Sequence, residues 1–298
     1  MTILRKQSIA STNLDLHGEQ RTTAQLWVLF DGMPAEDVLC NRHNPGDLPV
    51  ARTFNKQFVQ LTDGQYVIQV DIEVYDEAMF QTMGGYSISY TTDHYTVDPS
   101  REAELEILFN PREFSPDEFK RLACKTDDGL QISVVKLHQK GLAGAAILIL
   151  KFVGLATAAW FIKKLLDGTL ELFKTRLVAQ VAQRRSVTGA DTTFQLTFPV
   201  IIDGTEVSVL VELCSRDFAR LGVGEVVFPD VEAIVLKPLK GRSARQAVLR
   251  LAQNAPEWIL SHAVTTKNKI LLFKDNPNKA PEATSEPAMG AGSSEHQG

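Results

Sequence analysis

The chain has 298 residues, of which 44% are hydrophobic and 22% are charged, with 31 Lys and Arg against 36 Asp and Glu. This composition is typical of a globular protein of one or two domains. The balanced charge argues against a dedicated nucleic-acid binder, which concentrates a basic excess on one face. The three cysteines are too few and too far apart for a disulfide scaffold, so a reducing compartment is expected.

The N-terminal residues do not resemble a secretory signal peptide. Arg5 and Lys6 follow Met1 closely, and no apolar run of the required length comes after them. We therefore expect synthesis in the cytoplasm without a cleaved signal peptide. Any membrane attachment then depends on an internal segment.

Residues 1–140 are predicted to form an acidic, β-rich unit, with 13 basic and 21 acidic side chains. Apolar and polar side chains alternate over residues 66–75, which is typical of a half-buried strand. Asp63 and Gly64 predict a hairpin turn between this strand and residues 58–61. Further predictions are strands at 25–30, 86–91, 104–109 and 131–137, a long loop at 31–55, and a short helix at 116–124.

Residues 141–162 form a dense apolar block with a single charge, Lys151. Their mean hydropathy of about 1.9 exceeds the usual level for a membrane span. As a helix the block is about 33 Å long, which is enough for the bilayer hydrocarbon. Trp160 lies where an interfacial aromatic side chain is expected. The block therefore predicts a transmembrane or membrane-inserted helix.

Small side chains in this predicted helix favour close helix association in a membrane. Gly144, Gly154 and Ala158 are such residues, and Leu148 shares a helical face with Lys151. Self-association would place Lys151 in a shared interior. The alternative is a helix buried in a protein core, since a helix that is apolar on all sides also suits that environment. There, Lys151 needs a carboxylate partner or a route to the surface.

An amphipathic helix is predicted at residues 165–185, where Phe173, Leu177 and Val181 recur at helical spacing. A smaller α+β unit follows at residues 188–274. Its clearest signal is a hairpin turn at Asp203-Gly204. The remaining predictions are strands at 194–202, 206–213, 226–236 and 269–273, helices at 244–251 and 256–262, and a disordered tail at 275–298.

Motifs that carry chemistry are scarce. The sequence contains no nucleophile elbow, zincin motif or phosphate-binding loop, and Cys40 with His43 is one ligand pair, too few for zinc. We predict no cofactor and no metal, and an enzyme is the least favoured class. A basic cluster suits an anion or a lipid headgroup, with a solvated surface as the alternative. It consists of Lys237, Lys240, Arg242 and Arg245.

The sequence thus predicts an α+β fold with a β-rich N-terminal unit, a central long hydrophobic and amphipathic helix at 141–187, a smaller α+β unit and a disordered tail. The first functional hypothesis is a non-enzymatic membrane-associated protein, anchored through residues 141–162, that acts in assembly, anchoring or membrane perturbation. Its predicted partners are membrane lipid and either a second copy of the chain or another protein, but no nucleic acid. The alternative is a soluble structural or interaction protein in which residues 141–162 are a buried core helix.

Overall fold

Two β-sheets form the framework of the fold, one with four strands near the N-terminus and one with ten strands built from residues further along the chain. The predicted α+β class is confirmed. The computed structural model describes residues 2–14, 20–34, 38–41, 44, 46–82, 90–125, 130–138, 146–166, 170–189, 191–221, 224–252 and 257–273.

The four-stranded sheet consists of β1 (Thr2–Ser11), β2 (Val38–Cys40), β3 (Ala51–Gln60) and β4 (Tyr66–Val74). It is antiparallel, in the order β1-β4-β3-β2. The predicted hairpin between β3 and β4 is confirmed, and Gly64 in its turn has a φ of 83°. The strand predicted at residues 25–30 is wrong, because α1 (Thr23–Gly32) occupies this segment. Thr22 and Gln25 form a capping box at its start.

Asp71 on the central strand β4 connects irregularities in both neighbouring strands. Its carboxylate accepts hydrogen bonds from Asn55 Nδ2 at 3.0 Å, the Lys6 backbone N–H at 3.0 Å and Arg5 Nη1 at 2.6 Å. Lys6 and Asn55 have φ values of 51° and 53° at register shifts of β1 and β3. The hydrogen bonds, that from Asn55 first, lower the pKa of Asp71 to about 2.

The ten-stranded sheet consists of β5 (Tyr90–Tyr95), β6 (Leu105–Phe109), β7 (Cys124–Lys125), β8 (Gln131–His138), β9 (Ala146–Phe152), β10 (Thr192–Ile202), β11 (Thr205–Cys214), β12 (Ala244–Leu251), β13 (Trp258–Thr265) and β14 (Ile270–Leu272). The order is β14-β13-β12-β11-β10-β9-β6-β8-β5, with β7 paired to β8. Three neighbouring pairs, β6/β8, β9/β10 and β11/β12, are parallel. The predicted hairpin at Asp203-Gly204 is confirmed as the turn between β10 and β11.

The helices after α1 are α2 (Glu77–Gln81), α3 (Pro116–Lys120), α4 (Leu155–Leu166), α5 (Glu171–Thr188), α6 (Ser215–Leu221) and α7 (Lys237–Leu239), which continues a π-helical segment, Glu232–Leu236. Side chains of α3 to α7 share one apolar core with alternate residues of the ten-stranded sheet, such as Ile107 and Leu150. The predicted amphipathic helix is confirmed as α5, which buries Phe173, Leu177 and Val181. We call the side of the ten-stranded sheet that faces away from this apolar core the open face.

The long apolar helix predicted at residues 141–162 is wrong. Residues 146–152 are β9, which pairs with β10 on one edge and β6 on the other, and α4 begins only at Leu155. β9 carries apolar side chains on both faces from Ala146 to Leu150, so hydropathy does not distinguish it from a helix. The soluble alternative is also corrected on this point, because the segment is not a core helix.

The predicted membrane anchor fails on helix length. α4 has 12 residues and is about 18 Å long, against about 30 Å of bilayer hydrocarbon. Over the described ranges, no helix combines the length and the apolar character needed to cross a membrane. The hypothesis of a protein anchored in a membrane through residues 141–162 is therefore wrong.

Several predictions near the C-terminus are also corrected. The predicted helix at 244–251 is strand β12, and residues 258–262 of the predicted helix at 256–262 lie in strand β13. Buried apolar side chains on both faces of these strands remove the alternation that identifies a strand. The strand predicted at 226–236 is wrong, because residues 226–230 have no regular secondary structure and Glu232–Leu236 form the π-helical segment. The predicted disordered tail at 275–298 lies outside the described residues.

The two sheets meet through a polar contact. Asn44 Nδ2 donates to Glu212 at 2.7 Å, and Arg250 donates to the Gly46 carbonyl and to Asp47, each at 3.0 Å. Arg250 also lies 3.0 Å from Glu212. These contacts place the N-terminal sheet against one end of the open face. The division into domains at residues 140 and 188 stays a prediction, although strands from both sides of these positions share the ten-stranded sheet.

Candidate functional site

A cavity of about 570 Å³ lies on the open face, away from the contact with the N-terminal sheet. This volume is in the usual range for small-molecule sites. Side chains from six neighbouring strands and from the segment before β6 surround it. The polar lining residues are His94, Thr96, Arg101, Glu102, Glu106, Ser133, Lys151, Thr197, Glu206 and Ser208.

Four of these residues form a row across the sheet. Glu106 on β6 pairs in register with Ser133 on β8 and with Lys151 on β9, and Lys151 pairs with Thr197 on β10. Residues that alternate with them, such as Leu105 and Phe152, point into the apolar core. The period of the strands therefore places all four polar side chains on the open face.

Lys151 has both a carboxylate partner and a route to the surface, either of which suits a lysine in an apolar segment. Its ammonium lies 3.0 Å from the Glu106 carboxylate, and 59% of its side chain is exposed to the cavity and solvent. Only one of the three ammonium donors is used by Glu106. Lys151 can therefore bind an acceptor on a ligand without losing its partner.

Ser133 is the most unusual polar residue of the cavity. It is 4% exposed, and its hydroxyl has no hydrogen-bond partner in the described part of the chain. Buried polar groups are nearly always paired, because an unpaired one costs about 1 to 3 kcal/mol. A buried hydroxyl that lines a cavity and is unpaired fits a position where a ligand supplies the missing hydrogen bond.

The segment before β6 forms one wall of the cavity and is held by Gln131. The Gln131 side chain is fully buried, and its amide donates to Thr96 Oγ1 at 2.6 Å, the Asp98 carbonyl at 2.7 Å and the Arg101 carbonyl at 3.1 Å. The Gln131 backbone N–H also donates to Glu104 at 2.6 Å. These bonds fix the wall before any ligand binds, which lowers the entropic cost of binding.

The cavity presents charges of both signs. Arg101 forms an ion pair with Glu104 at 3.8 Å, a separation beyond hydrogen-bond distance. Within the described ranges, no cation forms an ion pair with Glu102 or Glu206. Two cations therefore face three carboxylates, and the formal charge of the lining is −1 with His94 neutral.

The residues predicted as a membrane segment are dispersed. Lys151 lines the cavity, whereas Leu148 on β9 and Ala158 on α4 are buried in the apolar core. Gly154 lies between β9 and α4, and Trp160 is half-buried against the core, where the Lys164 ammonium lies 5.8 Å from its ring. Gly144 lies outside the described residues. The predicted helical face does not exist, because a strand and a turn precede α4.

The predicted basic cluster is partly assembled. Lys237, Lys240 and Arg242 are exposed in and after α7, while Arg245 is half-buried on β12. The Gly241 backbone N–H in the same turn donates to Asp203 at 2.6 Å, which adds a negative charge beside the cations. Anion or headgroup binding at this cluster stays a prediction.

The groups with shifted pKa values lie outside the cavity lining. Burial raises the pKa of the Cys40 thiol to about 11 and also raises that of Cys214, which makes both poorer nucleophiles. Burial, with a contribution from Arg250, lowers the pKa of His262 to about 4. Ser133 has no hydrogen-bonded base to activate it. Among the residues that the structure describes, no group of His, Cys, Asp or Glu suits a metal ion.

Sequence reasoning missed the cavity residues other than Lys151, although some of the signal was present. Glu106 and Thr197 are polar positions that alternate with buried apolar residues in two strands predicted correctly. The missing information was that β6 and β10 lie on either side of β9. Comparisons with protein-family models, curated proteins and solved structures find no match for this chain.

Proposed function

We propose that this chain is a non-catalytic binding protein that holds a small polar ligand in the cavity of the open face. The buried, unpaired hydroxyl of Ser133 carries this proposal, because a ligand acceptor or donor would remove the cost of leaving it unpaired. The alternative drawn from the sequence, a soluble structural or interaction protein, is likewise a non-catalytic role. Self-association and a protein partner stay predictions from the sequence.

Two further features support the proposal. The free donors of Lys151 and Arg101 lie around the same cavity as Ser133, so several polar groups converge on one volume. The Gln131 amide holds the adjacent wall through three hydrogen bonds. A prearranged polar cavity without an activated nucleophile suits recognition of a ligand.

Thermal unfolding of the full chain with small polar compounds tests the proposal. The panel contains amino acids, triglycine, monosaccharides, nucleosides and dicarboxylates, each at millimolar concentration. At ten times its Kd, a ligand raises the Tm by about 3 °C for a domain of this size. We expect at least one compound to stabilise the wild type.

A cavity-filling variant provides the specificity test. Thr197 is half-buried at the cavity, and Thr193 is half-buried on the same strand and face but outside it. Thr197→Trp should abolish the ligand-induced shift, whereas Thr193→Trp should preserve it. The proposal is wrong if no compound shifts the wild-type Tm, or if the shift persists in Thr197→Trp.

A further inference from the structure

We propose that the ligand is a zwitterion about as long as a dipeptide or tripeptide, with its carboxylate at Lys151 and Ser133 and its ammonium at Glu206. This inference rests on the proposed function and names the class of ligand. It follows from the two unused ammonium donors of Lys151, from the Glu206 carboxylate, which has no ion-pair partner among the described residues, and from their separation in the sheet.

The carboxylate end is assigned to the centre of the sheet. Lys151 keeps two ammonium donors after binding Glu106, and Ser133 offers a hydroxyl with no partner in the described structure. Both residues flank Glu106 in register, so their polar groups face the same part of the cavity. A carboxylate is an acceptor that can use both, and Glu106 does not repel it strongly because Lys151 neutralises its charge.

The ammonium end is assigned to Glu206. This residue is exposed on β11 and lines the cavity, and no cation in the described residues pairs with it. A carboxylate with free acceptor positions binds an ammonium through charge-assisted hydrogen bonds. The third carboxylate, Glu102, adds negative potential without a partner of its own.

The sheet register gives the separation of the two ends. Lys151 pairs with Thr197, and Glu206 pairs with Ile201 four residues further along β10. Four residues along a strand and two strand spacings across it place the Lys151 and Glu206 backbones about 16 Å apart. The Lys151 ammonium bonds Glu106 on β6, on the side of β9 away from Glu206, so this side chain does not shorten the gap. Less about 3 Å for a hydrogen bond at each end, the gap accommodates up to three extended residues, at about 3.3 to 3.6 Å per residue.

The charge balance disfavours one other ligand class. A phosphate ester would bring a further negative charge to a lining with three carboxylates and two cations. A zwitterion with separated charges has a favourable partner at each end.

Calorimetric titration of the full chain with triglycine and its capped forms tests the assignment. N-acetyl-triglycine lacks the ammonium, and triglycine amide lacks the carboxylate. We expect each capped form to bind at least tenfold more weakly than triglycine. For Glu206→Gln, acetylation of triglycine should weaken its binding less than threefold. For Lys151→Met, amidation of triglycine should weaken its binding less than threefold.

Matched variants control for general changes of surface charge. Glu257 is an exposed glutamate outside the cavity, and Lys120 forms an exposed ion pair with Asp117 on α3. Glu257→Gln and Lys120→Met should keep the wild-type preferences. The zwitterion inference is overturned if the capped peptides bind as well as triglycine, or if triglycine does not bind. The proposed function survives either result when another panel compound gives a shift that Thr197→Trp abolishes, and it fails when none does.

Discussion

The Lys151 ammonium lies 3.0 Å from the Glu106 carboxylate, across the antiparallel pair of β9 and β6. More than half of the Lys151 side chain is exposed, so water screens the attraction. We therefore expect Lys151→Met to change the free energy of unfolding by less than about 1 kcal/mol, as Lys120→Met does at the exposed pair on α3. Urea denaturation measures both. A loss above about 2 kcal/mol would show that the pair is a structural contact and not an accessible binding group.

Gln131→Leu should loosen the cavity wall. The variant removes an amide that serves three buried or half-buried acceptors, at a cost of about 1 to 3 kcal/mol. Hydrogen exchange should become faster in residues 96–104 and change little in β10. Gln246→Leu on β12 makes the same substitution at a half-buried position and should leave exchange in the wall unchanged. Equal effects of the two variants would refute the assigned role of Gln131.

The pair of Arg184 and Glu113 should contribute strongly to stability. The Arg184 side chain is 2% exposed and lies 2.9 Å from the Glu113 carboxylate. Glu113→Ala leaves a buried charge without this carboxylate, and we expect a loss of about 3 to 5 kcal/mol in urea denaturation. Arg185 is 66% exposed and pairs with Asp191 at 3.5 Å. Arg185→Met should therefore cost less than about 1 kcal/mol, and a similar loss in both variants would contradict the prediction.

Gly46→Ala should weaken the contact between the two sheets. A Cβ at this position would clash with the Glu212 carboxylate, which also contacts Asn44 and Arg250. We expect a loss of about 1 to 3 kcal/mol and faster hydrogen exchange in residues 46–50. Gly32→Ala is the control, because no atom lies within 4 Å of its added Cβ. The contact is less important than we infer if the two variants behave alike.

Asp71 should make the stability of the N-terminal sheet depend on acidic pH. Its pKa falls from an ordinary value of 3.8 to about 2 on folding, so its charged form favours the folded state. The stabilisation is fully present above about pH 4 and is lost as the pH falls towards 2. The stability difference between wild type and Asp71→Asn should therefore shrink between pH 5 and pH 2. A constant difference over this range would contradict the assignment.

Local chemistry made some elements predictable from the sequence. The turn at Asp203-Gly204 was predictable because both residues adopt positive φ, 50° and 77°, which Asp and Gly tolerate. Helix α5 was predictable because Phe173, Leu177 and Val181 recur at the helical period. Each of these signals comes from residues that are only a few positions apart along the chain.

The helices predicted for the segments that form β9 and β12 were wrong for a non-local reason. Apolar side chains on both faces of most of each strand remove the alternation that marks a strand, and only the neighbours in the sheet explain why these segments are extended. The same limit applies to the cavity. Glu106, Lys151 and Thr197 become neighbours through strand pairing between segments more than 40 residues apart, which no local pattern encodes.

Backbone amide NMR of the full chain titrated with triglycine tests most directly the claim that the open face binds a small zwitterion. We expect the largest chemical-shift changes at residues 105–107, 132–134, 150–153 and 206–208, and much smaller changes in Lys151→Met and Glu206→Gln. Saturable changes confined to other parts of the chain, or no changes at millimolar triglycine, would contradict the account.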